Sequence, residues 1–179
     1  MTRHRPVDPV YIGLGSNLGD REAHLAAAAE ALGRIDAVSV RRWSRLYDTE
    51  AVGPPQPRYL NAVVELECEL SPRRLLSILQ RIEQELGRTA KGLMRPRTID
   101  LDVLLWGERI LVEPDFQIPH AELHARRFVL EPLAELAPTA RHPVLGLTIR
   151  QLLESLPPAD VAPVRGSSVW RSPPERKHP

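Results

Sequence analysis

One cysteine, Cys68, stands among 179 residues. An intramolecular disulfide needs two, so a disulfide framework is excluded. Aromatic residues are scarce, at 4% of the chain, and no strand shows the aromatic and basic pattern on which RNA bases stack. Charge of one sign is scarce too: 24 Lys and Arg against 23 Asp and Glu leave a net +1. No global field draws the chain to nucleic acid or to a membrane surface, so any anion site must be local. No apolar run reaches the length of a membrane span. The opening "MTRHRPVDP" is basic but has no apolar stretch of signal-peptide length behind it. The expectation is a cytoplasmic monomer that acts on small molecules, without nucleic-acid or membrane partners.

What is present is ordinary for a globular chain: 42% apolar and 26% charged residues. The length fits one domain with a real core. We expect a flexible lead-in over 1–9, a folded domain over 10–156, and a disordered tail over 157–179. The tail mixes Pro, Ser and charge without a period.

Hydrophobic spacing orders the elements. Val10 to Leu14 reads as a short buried strand, and a helix follows from about Asp20, its N-cap, to Gly33. Val38 to Tyr47 reads as a second strand with weak alternation. "DTEAVGPPQPR" (48–58) is a loop. In "YLNAVVELECEL" (59–70), Leu60, Ala62, Val64, Leu66, Cys68 and Leu70 alternate along a third strand. "SPRRLLSILQRIEQELG" opens with a Ser71 cap and Pro72 and closes on Gly87. "TIDLDVLLW" (98–106) reads as a fourth strand, with "RILV" expected to pair with it across Gly107. Residues 119–138 read as loop and helix, interrupted at Pro132, and 148–156 as a last helix. Strand, helix, strand, strand, helix, strand is an α+β order. It points to an antiparallel sheet with helices on one face, the ferredoxin-like plan βαββαβ, with C-terminal helices added.

Asp100 and Asp102 are two apart on the fourth strand, so both carboxylates lie on one face. Carboxylates that close repel unless a cation sits between them, and Mg²⁺ with phosphate oxygens is the natural candidate. Arg88, Lys91, Arg95 and Arg97 stand just upstream, and guanidinium groups fit phosphate geometry. The pattern equally fits an exposed sheet face with charges paired across strands, and local spacing does not separate the two.

Four stretches resemble, in order and spacing, the motifs of the 6-hydroxymethyl-7,8-dihydropterin pyrophosphokinases. They are "YIGLGSNLGD" (11–20), "YLNAVVELE" (59–67), "PRTIDLDVLLWG" (96–107) and "IPHAELHARRFVLEPLAELAP" (118–138). The resemblance runs from about residue 10 to 156. It implies a ferredoxin-like α+β sandwich and transfer of the pyrophosphoryl group of ATP to the pterin hydroxymethyl group, releasing AMP. It implies two Mg²⁺ ions on Asp100 and Asp102. It assigns Gln80, Glu83, Arg88, Lys91, Arg97, Val103, His120 and Arg126 to the ATP side. Arg88, Arg97, Asp100, Asp102, His120 and Arg126 take the catalytic roles. On the pterin side it places Thr49 and Val52 in a contacting loop, Tyr59 and Phe128 as stacking aromatics, and Asn61 as the amide that reads the ring's polar edge. Taken alone, His120 and Arg126 read as a solvent-facing helix start, Tyr59 and Asn61 as an ordinary polar sheet face, and Phe128 as core.

The chain departs from the family pattern at Glu50, Ala90, Met94, Arg95 and Ala121, all in loops. These departures leave open a binding module that keeps the fold without the chemistry. The glycines of "YIGLGSNLGD" read G-x-G-x-x-x-G, one residue off the dinucleotide fingerprint, and the strand order is wrong for it. Gly13, Gly15 and Gly19 are expected to form a tight strand-to-helix turn near the pterin pocket that the resemblance implies, with Asn17 or Asp20 starting the helix.

Overall fold

The structure, a computed structural model, describes residues 8–88, 96–167 and 170. Chain order runs β1 (Val10–Ser16), α1 (Arg21–Gly33), β2 (Val38–Trp43), β3 (Tyr47–Thr49), β4 (Tyr59–Cys68), α2 (Pro72–Glu85) and β5 (Asp100–Trp106). Then come β6 (Leu111–Glu113), β7 (Phe116–Ile118), α3 (Arg127–Leu136), α4 (Ile149–Ser155) and β8 (Val161–Pro163). Local chemistry sets the helix ends. The Asp20 carboxylate accepts from the Ala23 N–H at 3.0 Å. The Ser71 hydroxyl accepts from the Arg74 N–H at 3.3 Å, with Pro72 at the first helical position. Gly87, at φ +92°, closes α2 in the left-handed region that favours glycine.

The main sheet runs β5-β1-β4-β3-β8, with β2 also on β4, and the pairs are antiparallel. This is the ferredoxin-like order that the strand pattern predicts. The expected second strand is split into β2 and β3. From Trp43 to Tyr47 is four steps, while their partners Val64 and Asn61 are three apart, so one residue bulges out. Ser44 fills the gap: its N–H donates to the Val63 carbonyl, and its hydroxyl accepts from the Val63 N–H, both at 2.9 Å. A second slip lies between Val40 and Arg42. Each slip flips the inside–outside parity, which is why alternation is weak in this stretch.

The even-numbered β1 residues Val10, Ile12 and Leu14 meet α1 and α2 in one core. Tyr11, Val63, Leu104 and Leu105 meet α3 and α4 in a second. Helices therefore cover both faces, where the sequence pattern suggests one: α3 and α4 bury the apolar half of the second face. Pro132 sits inside α3 without ending it. The "RILV" segment does not pair with β5. Leu111–Glu113 pairs instead with Phe116–Ile118 across the two-residue Pro114–Asp115 connection, a shorter closure than the one at Gly107.

The expected disordered tail is in part built into the sheet. β8 extends it beyond β3, and Trp170 is buried against Trp43, ring centroids 4.4 Å apart. The backbone groups of the β3 edge and an indole-sized apolar surface outweigh the Pro-rich composition there.

Candidate active site

Register assembles the site. Gly15 of β1 lies opposite Asn61 of β4 on one side and Asp100 of β5 on the other. Gly13 lies opposite Val63 and Asp102. The acid pair and the amide, 39 residues or more apart in the chain, thus share one sheet face. α3 covers the rest of that face, and its N-terminal end supplies Arg126 and Phe128.

Two cavities open there. One, of about 210 Å³, is lined by Gly15, Thr49, Tyr59, Asn61 and Phe128. Its lining of two aromatic rings and an amide suits an aromatic heterocycle. The Asn61 amide donates to the Thr49 hydroxyl at 2.7 Å, which fixes its orientation. Burial raises the Tyr59 phenol above its ordinary range, so it stays a neutral ring. The second cavity, of about 450 Å³, is lined by Gln80, Glu83, Arg88, Val103 and Phe116 among others. Asp100, Asp102 and His120 line both.

Arg88 and Arg97 hold Asp100 from two sides, at 2.5 and 3.0 Å. Arg88 also pairs with Glu83, which is 2% exposed. Glu83 accepts the Leu101 N–H at 2.8 Å and so fixes the backbone between the two aspartates. At Asp102 the charges of Arg126, Arg88 and Arg97 offset the surroundings only in part. Burial, then the neighbouring Asp100 carboxylate, push its carboxyl up to about 6. Burial and Arg126 lower the His120 imidazole, favouring the neutral ring. Its Nδ1 accepts from the Glu122 N–H at 3.2 Å, which leaves the proton on Nε2. Arg126 pairs with Glu122 and lies 5.8 Å over the Phe128 ring. The Nε–H of Arg88 is buried and finds no acceptor among the described residues.

Most of the residues singled out in the sequence come together here. Thr49, Val52, Tyr59, Asn61, Phe128, Arg97 and Arg126 line the first cavity. Gln80, Glu83, Arg88 and Val103 line the second. Val52 stands 68% exposed at the rim, and Val103 belongs mainly to the core beside α1 and α2. Lys91, with Ala90, Met94 and Arg95, lies outside the described residues.

The opening glycines are corrected. Only Gly19, at φ +66°, is a turn residue, and Asp20 alone caps α1. Gly13 and Gly15 lie within β1 and supply space. A methyl group on Gly15 would sit 3.0 Å from the Asn61 carbonyl oxygen, and one on Gly13 would sit 3.2 Å from Leu104. Asn17, the other expected helix start, has a different role. This buried amide accepts the Arg97 N–H at 2.8 Å and donates to Gln56 and the Pro57 carbonyl, both at 3.0 Å. It ties both site loops to the end of β1. A small polar residue after a strand was its only signal.

The Gly15 geometry gives a direct test. Gly15→Ala is expected to weaken binding of a pterin about tenfold by crowding Asn61, and to leave ATP binding unchanged. Titration with each ligand checks this; an unaltered pterin affinity would show that Gly15 does not floor that cavity.

An antiparallel α+β sandwich that sets an aspartate pair and several arginines between two cavities defines a small-molecule phosphotransferase of ferredoxin-like plan. Residues 11–138 match the family described as 7,8-dihydro-6-hydroxymethylpterin-pyrophosphokinase. The chain belongs to that family. It is 42% identical over 152 residues to the 2-amino-4-hydroxy-6-hydroxymethyldihydropteridine pyrophosphokinase of Pseudomonas aeruginosa, covering 84% of this chain and 93% of the relative. To the Synechocystis enzyme of the same name it is 42% identical over 153 residues, covering 86% and 78%. Among solved structures, a Plasmodium falciparum HPPK-DHPS superposes with a TM-score of 0.67 at 15% identity. That match covers 86% of this chain but 45% of the longer one, and it supports the fold alone.

Proposed function

We propose that this chain transfers the pyrophosphoryl group of ATP to the hydroxymethyl group of 6-hydroxymethyl-7,8-dihydropterin, a step of folate biosynthesis. The observation that carries the proposal is the meeting of two cavities at Asp100 and Asp102. One takes the flat ring: Tyr59 and Phe128 stack on it, and Asn61, oriented by Thr49, pairs with its polar edge. The other takes ATP, with Gln80 and Val103 toward the nucleoside and Arg88, Arg97, His120 and Arg126 toward the phosphates. Glu83 is already occupied by Arg88 and the Leu101 N–H, so it acts as a positioning residue rather than an ATP ligand.

In the reaction the pterin hydroxyl oxygen bonds to the β-phosphorus and its proton is released to water. The bond from that phosphorus to the α,β-bridging oxygen breaks, and AMP leaves with the oxygen. Arg88, Arg97, His120 and Arg126, which line the two cavities, stabilise the charge that moves onto the phosphates.

The residues present fit Mg²⁺. It is a hard cation held by one or two carboxylates with phosphate oxygens and water completing the shell. The Asp102 carboxyl is raised by burial and by the neighbouring Asp100 carboxylate, and a cation between the two would relieve that repulsion. Asp100 and Asp102 would hold the metal, which when bound neutralises phosphate charge and aligns the attacking and leaving oxygens.

Purified protein incubated with ATP, Mg²⁺ and the pterin is expected to release AMP only when the pterin is present. ADP as product, or binding of both ligands with no AMP, counts against the proposal; the second result would mark a non-catalytic binding module.

A further inference from the structure

β8 and the segment after it run along the sheet edge opposite the acid pair. The sheet begins at β5, which carries Asp100 and Asp102, and ends at β8. β8 sits instead beside both elements that carry ring contacts. It pairs with β3, where Val161 lies opposite Thr49, the partner of Asn61, and it packs against α3, which carries Phe128. The Val164 N–H donates to the Leu46 carbonyl at 2.8 Å. Asp160 pairs at 2.7 Å with Arg58, the residue before Tyr59, and Arg58 also holds Asp48.

The far end of the segment is latched. The Trp170 indole N–H donates at 2.8 Å to the carbonyl of Ser44, in the bulge between β2 and β3. Glu22, in the first turn of α1, accepts from the Trp170 N–H at 3.1 Å and from the Ser167 hydroxyl. The stretch lies beyond the family match, which ends at residue 138.

We propose that residues 160–167, with Trp170, form a strap that positions the pterin side of the site. It holds β3 and the start of β4 so that Thr49, Asn61 and Tyr59 are set before the ring arrives. The proposal rests on the reading of the two cavities given above. Its physical basis is preorganisation: β3 is three residues long, and without a second neighbour it is a frayed edge. A strap that is released leaves the ring-binding arrangement populated only part of the time, and apparent affinity falls by that fraction.

Two full-length variants, Trp170→Ala and Glu22→Ala, loosen the latch from its two sides, and neither residue lines either cavity. Each is titrated with 6-hydroxymethyl-7,8-dihydropterin and, separately, with Mg²⁺ and a non-hydrolysable ATP analogue. The expected result is a rise of about tenfold in the pterin Kd, with the ATP-analogue Kd unchanged. Equal loss for both ligands, or a lowered Tm with both affinities intact, overturns the proposal by reducing the strap to general stabilisation. If the parent chain binds the ATP analogue but no pterin, the reading of the ring cavity fails, and the strap's role with it.

Discussion

Asp102→Asn is expected to reduce AMP formation by about a thousandfold or more, because it removes a metal-holding charge where donors and metal carry most of the catalysis. The same change is expected to leave a chain at least as stable as the parent at pH 7 without Mg²⁺. The sign follows from the carboxyl being held up at about 6, above its unfolded value of about 4. Across that interval the folded chain binds more protons than the unfolded one. Stability therefore falls as pH rises from about 4 to about 6, and above that the loss is complete. Asparagine keeps the shape and carries no charge, so the D102N variant should lack that acid-side slope. Mg²⁺ with a nucleotide should raise the Tm of the parent more than that of the variant. Thermal melts against pH, with and without Mg²⁺, read this beside the AMP assay. Near-parental turnover would remove Asp102 from the metal site.

Arg88→Ala is the second large effect, and it falls on stability and activity together. The Arg88 side chain is 9% exposed and lies between Glu83 and Asp100. Deleting one partner of a buried ion pair leaves the other charge without compensation, at a cost of about 3–5 kcal/mol. For a chain of this length that lowers Tm by roughly 10 °C. Transfer should fall by about a hundredfold or more, through loss of a phosphate donor and of the fixed Asp100. Arg88→Lys is expected to recover part of the stability, because one nitrogen, Nη1, meets both carboxylates, but little of the transfer, because an ammonium lacks the fork that pairs with phosphate oxygens. The double variant Glu83→Gln with Arg88→Ala separates the effects: most of the stability should return, and the activity should not. A parental Tm for Arg88→Ala alone would show that the buried pair does not support the strand below it.

Much of the fold was legible because its signals are local. Asp20, Ser71 and Gly87 mark helix ends by their own hydrogen bonds and φ angles. β4 alternates cleanly, since one of its faces is core along its whole length. The split of β2 from β3 was hidden, because a bulge depends on the partner strand and β4 supplies the register. The pairing of β6 with β7 and the docking of β8 were hidden for the same reason.

The sequence by itself determined the helices, the strands β1, β4 and β5, the paired aspartates of β5, and a motif order sufficient to identify the family. Those depend on spacing along one chain and on residue chemistry. Only the tertiary structure decided that Gly13 and Gly15 clear a cavity floor, that Glu83 supports β5 from within, and that Asn17 joins two loops. It also brought residues 160–167 and Trp170 back beside β3 and the bulge before it. Each of these roles is a distance between residues far apart in sequence, and such distances arise only when the sheet closes its register.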